Sequence, residues 1–225
     1  MKKRPARKPT KILVLDVGGS HVKCVASGHI TPAAFKSGPR LTPARMVKKT
    51  LQITKGWRFD AVSLGFPGLV IGGKIMQEPH NLGPGWVDFD WPHAFGCPVK
   101  MINDAAMQAL GDYDGGKMLF LGLGTGLGSA LIVDGAVVAM ELGHLPTANG
   151  RYYEDDLGNK GRKRLGNKRW RRQVEKTVET FRAALLPDTT VLGGGNVDHL
   201  KHLPPHTRGG NRGAAFVGGF RLWEL

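Results

Sequence analysis

The sequence predicts an α/β chain folded as two lobes on a common plan, with a cleft between them. Three observations carry this. β-type runs such as Ile12–Asp16 and Lys117–Leu123 are separated by segments with helical spacing. In each half one such run enters a glycine-rich turn holding a hydroxyl residue and emerges as another strand: Asp16-Val-Gly-Gly-Ser20, then Gly122-Leu-Gly-Thr125-Gly126. And 225 residues with 41% hydrophobic content suffice for one substantial core or two small ones.

Taken in order, residues 1–11 form an expected unstructured arm, since they lack apolar periodicity and carry Pro5 and Pro9. Residues 12–16 and 22–27 read as a hairpin around the first glycine turn. A helix is expected over 43–54 with proline in its first turn. Strands follow at 61–66 and 69–76, and then ordered loop over 77–98, rich in Gly, Pro and Trp. A strand at 99–103 leads into a short helix from Asp104. Strands over 117–123, 128–134 and 136–140 follow, then a polar loop or flap over 145–167. A helix over 168–186 shows one apolar face at Val174, Val178, Phe181 and Leu185. Residues 189–195 read as a strand entering Gly193-Gly194-Gly195, and 213–223 as a terminal helix. The expected division is thus an arm at 1–11, a first lobe at 12–103, a second lobe at 104–212, and a terminal helix at 213–225 that returns to the first lobe.

The formal charge of +14 sits in two places. One is the N-terminal arm, with Lys2, Lys3, Arg4, Arg7, Lys8 and Lys11. The other is the segment carrying Lys160, Arg162, Lys163, Arg164, Lys168, Arg169, Arg171 and Arg172. Concentrated positive charge captures polyanions, whether nucleic acid, long phosphate chains or anionic membranes, so charge alone does not choose among them. No apolar run spans a bilayer and no apolar leader segment opens the chain, so the expectation is a cytoplasmic protein without membrane contact. The two cysteines, Cys24 and Cys97, belong to no cluster with metal-ligand spacing.

A turn without side chains lets backbone N–H groups approach an anion, and a Ser or Thr adds a hydroxyl donor. Gly18, Gly19 and Ser20, then Gly124, Thr125 and Gly126, and Gly193, Gly194 and Gly195 are therefore candidate phosphate contacts, and facing turns would clamp a phosphate chain. Taken singly, glycine pairs in hairpins are mostly ordinary turns; it is the matched context of the three that points to phosphate. Asp104, at a strand-to-helix junction, has the placement of a general base and equally that of a helix cap.

In order and spacing these motifs resemble the ROK sugar kinases over nearly the whole chain from Ile12. Asp16-x-Gly-Gly-Ser-x-x-Lys23 resembles the first phosphate motif, and Gly122-Leu-Gly-Thr-Gly-Leu-Gly-Ser129 the second. Asn103-Asp104-Ala105 resembles the catalytic motif, Glu141-Leu-Gly-His144 the sugar-binding motif, and the three glycines at 193–195 the adenosine side. Within the family, Gly65-Phe-Pro-Gly68 and Asn81-Leu-Gly-Pro-Gly-Trp86 are similar to the polyphosphate glucokinases. The cysteine cluster that binds zinc in relatives after the Glu-x-Gly-His motif is missing, so the implied cofactor is Mg²⁺ and not zinc.

The resemblance implies an actin-like ATPase fold of the ribonuclease H type, homodimeric assembly, and phosphoryl transfer from polyphosphate or ATP to glucose or a similar hexose. Asp104 would be the base. Asn81, Asn103, Glu141 and His144 would supply donors and acceptors to sugar hydroxyls, with Glu154 in place of the second sugar-binding glutamate. Asp16 would orient Mg²⁺-bound water, and Lys23 would place a charge beside the transferred phosphate. The basic segment, Arg162, Lys163 and Arg164 in particular, would form a polyphosphate track, or else a solvated flap. Two other classes remain at this stage. One is a non-catalytic sugar sensor, although no helix-turn-helix pattern precedes Ile12. The other is a nucleic-acid binder, although only Trp170 interleaves the basic residues.

Overall fold

Alternating aliphatic residues set the first sheet. Strand β1 (Ile12–Val17) buries Leu13, Val14, Leu15 and Val17, and β2 (His21–Ala26) returns antiparallel to it, with Asp16 opposite Lys23. In the computed structural model, which describes residues 9–225, β3 (Ala33–Lys36) extends this hairpin at the edge. Helix α1 (Pro43–Ile53) follows, with Thr42 accepting from the Arg45 N–H as its N-cap. Strands β4 (Ala61–Phe66) and β7 (Val99–Asn103) join parallel to β1, giving the order β3-β2-β1-β4-β7. Every residue of β4 is buried, as expected of a central parallel strand covered on both faces.

Where one strand is expected at 69–76, a glycine pair at Gly72-Gly73 folds the run into a small hairpin, β5 (Val70–Ile71) and β6 (Lys74–Ile75). The 77–98 loop contains one turn of helix, α2 (Trp91–Phe95), capped by Asp90. Glu78 organises the preceding stretch by accepting the backbone N–H groups of Gly85, Trp86 and Val87. Fully buried Trp86 donates its indole N–H to the Gly83 carbonyl.

The second half repeats the plan. After α3 (Asp104–Asp112), strands β8 (Lys117–Leu123), β9 (Leu127–Val133) and β10 (Ala136–Met140) form a meander. Strands β11 (Thr189–Gly193) and β12 (Thr207–Gly209) add parallel to β8. The order β10-β9-β8-β11-β12 matches the first sheet strand for strand. The duplication seen in two turns therefore extends to whole sheets.

The segment expected as a loop over 145–167 is largely helical. It holds α4 (Tyr153–Leu157) and the start of α5 (Asn159–Leu185), which is kinked at Gly166, where φ is 71°. The local polarity is misleading, because the charges pair with each other. Asp156 is 8% exposed, takes the Arg151 guanidinium at 2.7 Å, and pairs with Arg164 as well. Beneath them Leu157 and Trp170 are buried, and the Trp170 indole N–H donates to the Leu157 carbonyl at 2.9 Å. Burying a side chain of this size contributes on the order of 1.5–3 kcal/mol.

The chain divides into two compact units. The first runs to Asp104 and regains Gly219–Leu225; the second is Ala105–Gly218. Helix α6 (Ala214–Arg221) leads into the returning segment, where buried Ser63 of β4 donates to the Gly219 carbonyl and accepts from the Trp223 indole. Thr10 and Lys11 are tied to the Asp60 carboxylate, two residues before the expected start of order at Ile12. Residues 1–8 of the expected arm lie outside the described residues. Among the described residues no helix is long and apolar enough to cross a membrane.

Candidate active site

The candidate residues of the first unit gather at the carboxyl-terminal ends of its parallel strands, where open α/β sheets carry their ligands. Asp16 lies beside Gly65 of β4, and Phe66 lies beside Asn103 of β7. Burial raises the Asp16 pKa and the Lys23 charge opposes that rise. The turn after β1 is closed by the Gly18 N–H donating to the His21 carbonyl at 2.9 Å. Ser37, just past β3, donates its hydroxyl to the Gly18 carbonyl at 2.7 Å. Asn81 stands against this turn, because a Cβ placed on Gly19 would lie 3.7 Å from the Asn81 Cβ. Asn103 is 9% exposed and donates its amide to the Gly68 carbonyl at 3.1 Å, and Asp104 follows it as the first residue of α3.

In the second unit Gly122 of β8 pairs with Gly193 of β11, so the turns following these two strands are neighbours. The Gly124 N–H donates to the Gly126 carbonyl at 3.1 Å. The Gly124 carbonyl accepts from the Asn159 N–H at 3.0 Å and from the Asn196 side-chain amide at 2.9 Å. Gly194, with φ at 82°, passes so near the Leu123 carbonyl that any Cβ would collide with it. Gly195 then opens the 3-10 turn that carries Asn196.

A second group adjoins this turn. Ser129 accepts the Leu142 N–H and donates to the Met140 carbonyl, which fixes the 3-10 turn Leu142–His144 between Glu141 and the following chain. His144 Nδ1 lies 3.5 Å from Glu141 Oε2, and His144 Nε2 lies 3.5 Å from Glu154 Oε1. Burial raises the Glu141 pKa, His144 acts against the rise, and the Glu154 charge adds to it. Glu154 also reaches the glycine turn, since a Cβ on Gly126 would lie 2.5 Å from Glu154 Oε2. One glutamate on α4 therefore touches both the Glu141–His144 pair and the turn at Gly124–Gly126.

Within the basic segment the side chains are differently engaged. Arg162 Nε donates to the Asn196 carbonyl oxygen Oδ1 at 3.1 Å, and Arg164 is committed to Asp156. Lys163 is exposed, as are Lys168, Arg169 and Arg172 further along α5. Trp170, the one aromatic residue among these charges, is fully buried and offers no face to a base. Cys24 is an unreactive buried thiol, its pKa pushed up to about 11 by desolvation. Among the described residues no group of three or more His, Cys, Asp or Glu side chains could hold a metal ion.

Sequence reasoning passed over Ser37, Glu78, Asn159 and Asn196. Asn196 follows the three glycines directly, and that adjacency was the one available signal.

Two copies of the same sheet, each with a glycine–hydroxyl turn after its first long strand, define the actin-like ATPase fold of the sugar kinases. The chain belongs to the ROK family, whose family model matches residues 12–162. It is 26% identical over 204 residues to a polyphosphate glucokinase of Mycobacterium tuberculosis, covering 80% of this chain and 76% of that protein. The inorganic polyphosphate/ATP-glucomannokinase of Arthrobacter sp. strain KM superposes with a TM-score of 0.79 at 22% identity, over 97% of this chain and 99% of that one. A ROK glucokinase from Streptomyces griseus, solved with glucose and AMPPNP, gives a TM-score of 0.75 at 15% identity, over 95% and 98% of the two chains.

Proposed function

We propose that this protein is a hexose kinase that transfers the terminal phosphoryl group of polyphosphate or ATP to the 6-hydroxyl of glucose or a similar hexose. The observation that carries the reading is Glu154, whose carboxylate meets both His144 and the Gly126 turn. A cluster of two carboxylates and an imidazole offers the mixed donors and acceptors that sugar hydroxyls require. A glycine turn with Thr125 offers backbone N–H groups to phosphate. Similarity to proteins named polyphosphate glucokinase and glucokinase supports the same reading.

In the proposed step Asp104 takes the proton of the sugar 6-hydroxyl as its oxygen bonds to the terminal phosphorus. The bond from that phosphorus to the bridging oxygen breaks, leaving ADP or a polyphosphate shorter by one unit. Such transfer relies on positioning and charge neutralisation, with little covalent work by the protein. Asn81 and Asn103 would join Glu141, His144 and Glu154 in orienting the sugar. Gly18, Gly19, Ser20, Lys23 and the glycines at 193–195 would join the second turn in holding the donor. Asp16, a half-buried carboxylate, fits a hydrated Mg²⁺ held through water, which when bound would neutralise charge on the donor phosphates.

The exposed cations Lys163, Lys168, Arg169 and Arg172 favour polyphosphate as one donor, through the same counterion release that drives binding to nucleic acids. The proposal includes a homodimeric cytoplasmic enzyme. Purified protein incubated with glucose and Mg²⁺, and given ATP or long-chain polyphosphate in turn, tests the reading. Glucose 6-phosphate from at least one donor is expected, and none from either would end it.

A further inference from the structure

The two glycine turns are held in the same way from outside. In the first, the Ser37 hydroxyl donates to the Gly18 carbonyl at 2.7 Å, while the Ser37 N–H donates to the Ser20 carbonyl at 3.0 Å. In the second, the Asn196 amide donates to the Gly124 carbonyl at 2.9 Å, alongside the Asn159 N–H at 3.0 Å. The Asn159 N–H also reaches the Thr125 carbonyl at 3.2 Å. The glycine carbonyls pinned by Ser37 and Asn196 occupy equivalent places, one residue before the candidate anion-binding N–H groups.

Pinning a carbonyl fixes more than an oxygen. The peptide unit is planar and trans, so its C=O and the next residue's N–H point in opposite directions. With the Gly18 carbonyl held by Ser37, the Gly19 N–H must point away from Ser37. With the Gly124 carbonyl held by Asn196 and Asn159, the Thr125 N–H points away from α5, and the pinned Thr125 carbonyl aims the Gly126 N–H likewise. None of the Gly19, Thr125 and Gly126 N–H groups has a partner among the described residues. Glycine-rich turns are otherwise free to flip their peptide planes, so an outside donor is what keeps these N–H groups aimed. Asn196 is 3% exposed, and its other end accepts Arg162 Nε at 3.1 Å, so its amide cannot rotate without losing a bond.

We propose that Ser37 and Asn196 are positioning residues for the phosphoryl donor, which orient the N–H groups of the two turns without touching the phosphates. The inference rests on the kinase reading above and adds to it the residues that preorganise the donor site. In Asn196→Ala the Asn159 N–H still serves the Gly124 carbonyl and Arg162 keeps its bond to Asn167, and Ser37→Ala acts at Gly18, itself a half-exposed residue.

The test is calorimetric titration of the full chain with inorganic tripolyphosphate in Mg²⁺, and separately with glucose. Wild type is compared with Ser37→Ala, Ser37→Thr and Asn196→Ala. Ser37→Ala and Asn196→Ala are expected to bind tripolyphosphate about tenfold more weakly, the loss of roughly one such hydrogen bond. Ser37→Thr, which keeps the hydroxyl, is expected within about threefold of wild type, and glucose affinity is expected to hold within about twofold throughout. Wild-type tripolyphosphate affinity in both alanine variants overturns the inference, as does equal weakening by Ser37→Thr and Ser37→Ala. Tripolyphosphate binding with the expected losses but no sugar phosphorylation would keep the inference and reject the kinase reading. A wild-type chain that binds no tripolyphosphate would reject the inference and leave the kinase reading to its assay with ATP.

Discussion

Glu154 Oε1 stands 3.5 Å from His144 Nε2, although the two residues belong to different elements and nothing in their spacing announces the pairing. Glu141 completes the group from the other side of the imidazole at 3.5 Å. If a hexose binds here, Glu154→Ala removes a charged acceptor for its hydroxyls. The KM for glucose should rise on the order of 10–100-fold, with KM for the donor little changed. Initial-rate kinetics with each substrate varied in turn distinguish this from a general loss of folding.

The pH profile gives a second view of the same group. Burial raises the Glu141 pKa, His144 opposes it, and the Glu154 charge raises it further. As pH falls through this raised value, Glu141 takes a proton and ceases to be a pure acceptor, so glucose affinity should decline earlier than for an ordinary glutamate. Glu154→Gln removes one cause of the rise. Its acid limb in kcat/KM for glucose should therefore move to lower pH, and a limb that stays or moves upward would contradict the cluster.

Asp16 shows a conflict between stability and chemistry. Burial raises its pKa and Lys23 only opposes that rise, so the folded chain keeps this proton to higher pH than the unfolded chain does. Stability then falls as pH climbs from the unfolded to the folded pKa, and at neutral pH the ionised group is a net cost. Asp16→Asn should raise Tm at neutral pH by roughly 2–4 °C, and the gain should vanish in acid below the ordinary aspartate range. If Asp16 orients Mg²⁺-bound water, the same change should lower kcat at least about tenfold. Thermal unfolding against pH, paired with turnover, checks both signs.

The exposed cations of α5 give a donor-specific prediction. Replacing Lys163, Lys168 and Arg172 together by glutamine should raise KM for long-chain polyphosphate about tenfold and flatten its salt dependence, with KM for ATP held within about twofold. Arg162 and Arg164 are left intact because they serve Asn196 and Asp156. Equal losses with both donors would count against a polyphosphate track.

The parts of this account that were legible in the sequence are those written in local patterns. The hairpin of β1 and β2, helix α1 and the meander of β8 to β10 follow from alternation, proline placement and glycine turns. Short edge strands such as β3 and β12 carry too few residues to show a period. Helix α4 and the start of α5 have the polarity of a solvated loop, whereas Asp156 is buried between Arg151 and Arg164. Ser37 and Asn196 act on carbonyls 19 and 72 residues away, and a backbone acceptor leaves no mark in a sequence.

The most direct measurement of the central claim compares wild type with Asp104→Ala, scoring phosphorylation of glucose and, by calorimetry, glucose binding. A general base supplies roughly 10²–10⁴-fold in rate. The expected result is glucose 6-phosphate from the wild type, a loss of that order in the variant, and a folded variant that still binds the sugar. Activity in Asp104→Ala within about tenfold of wild type would contradict it.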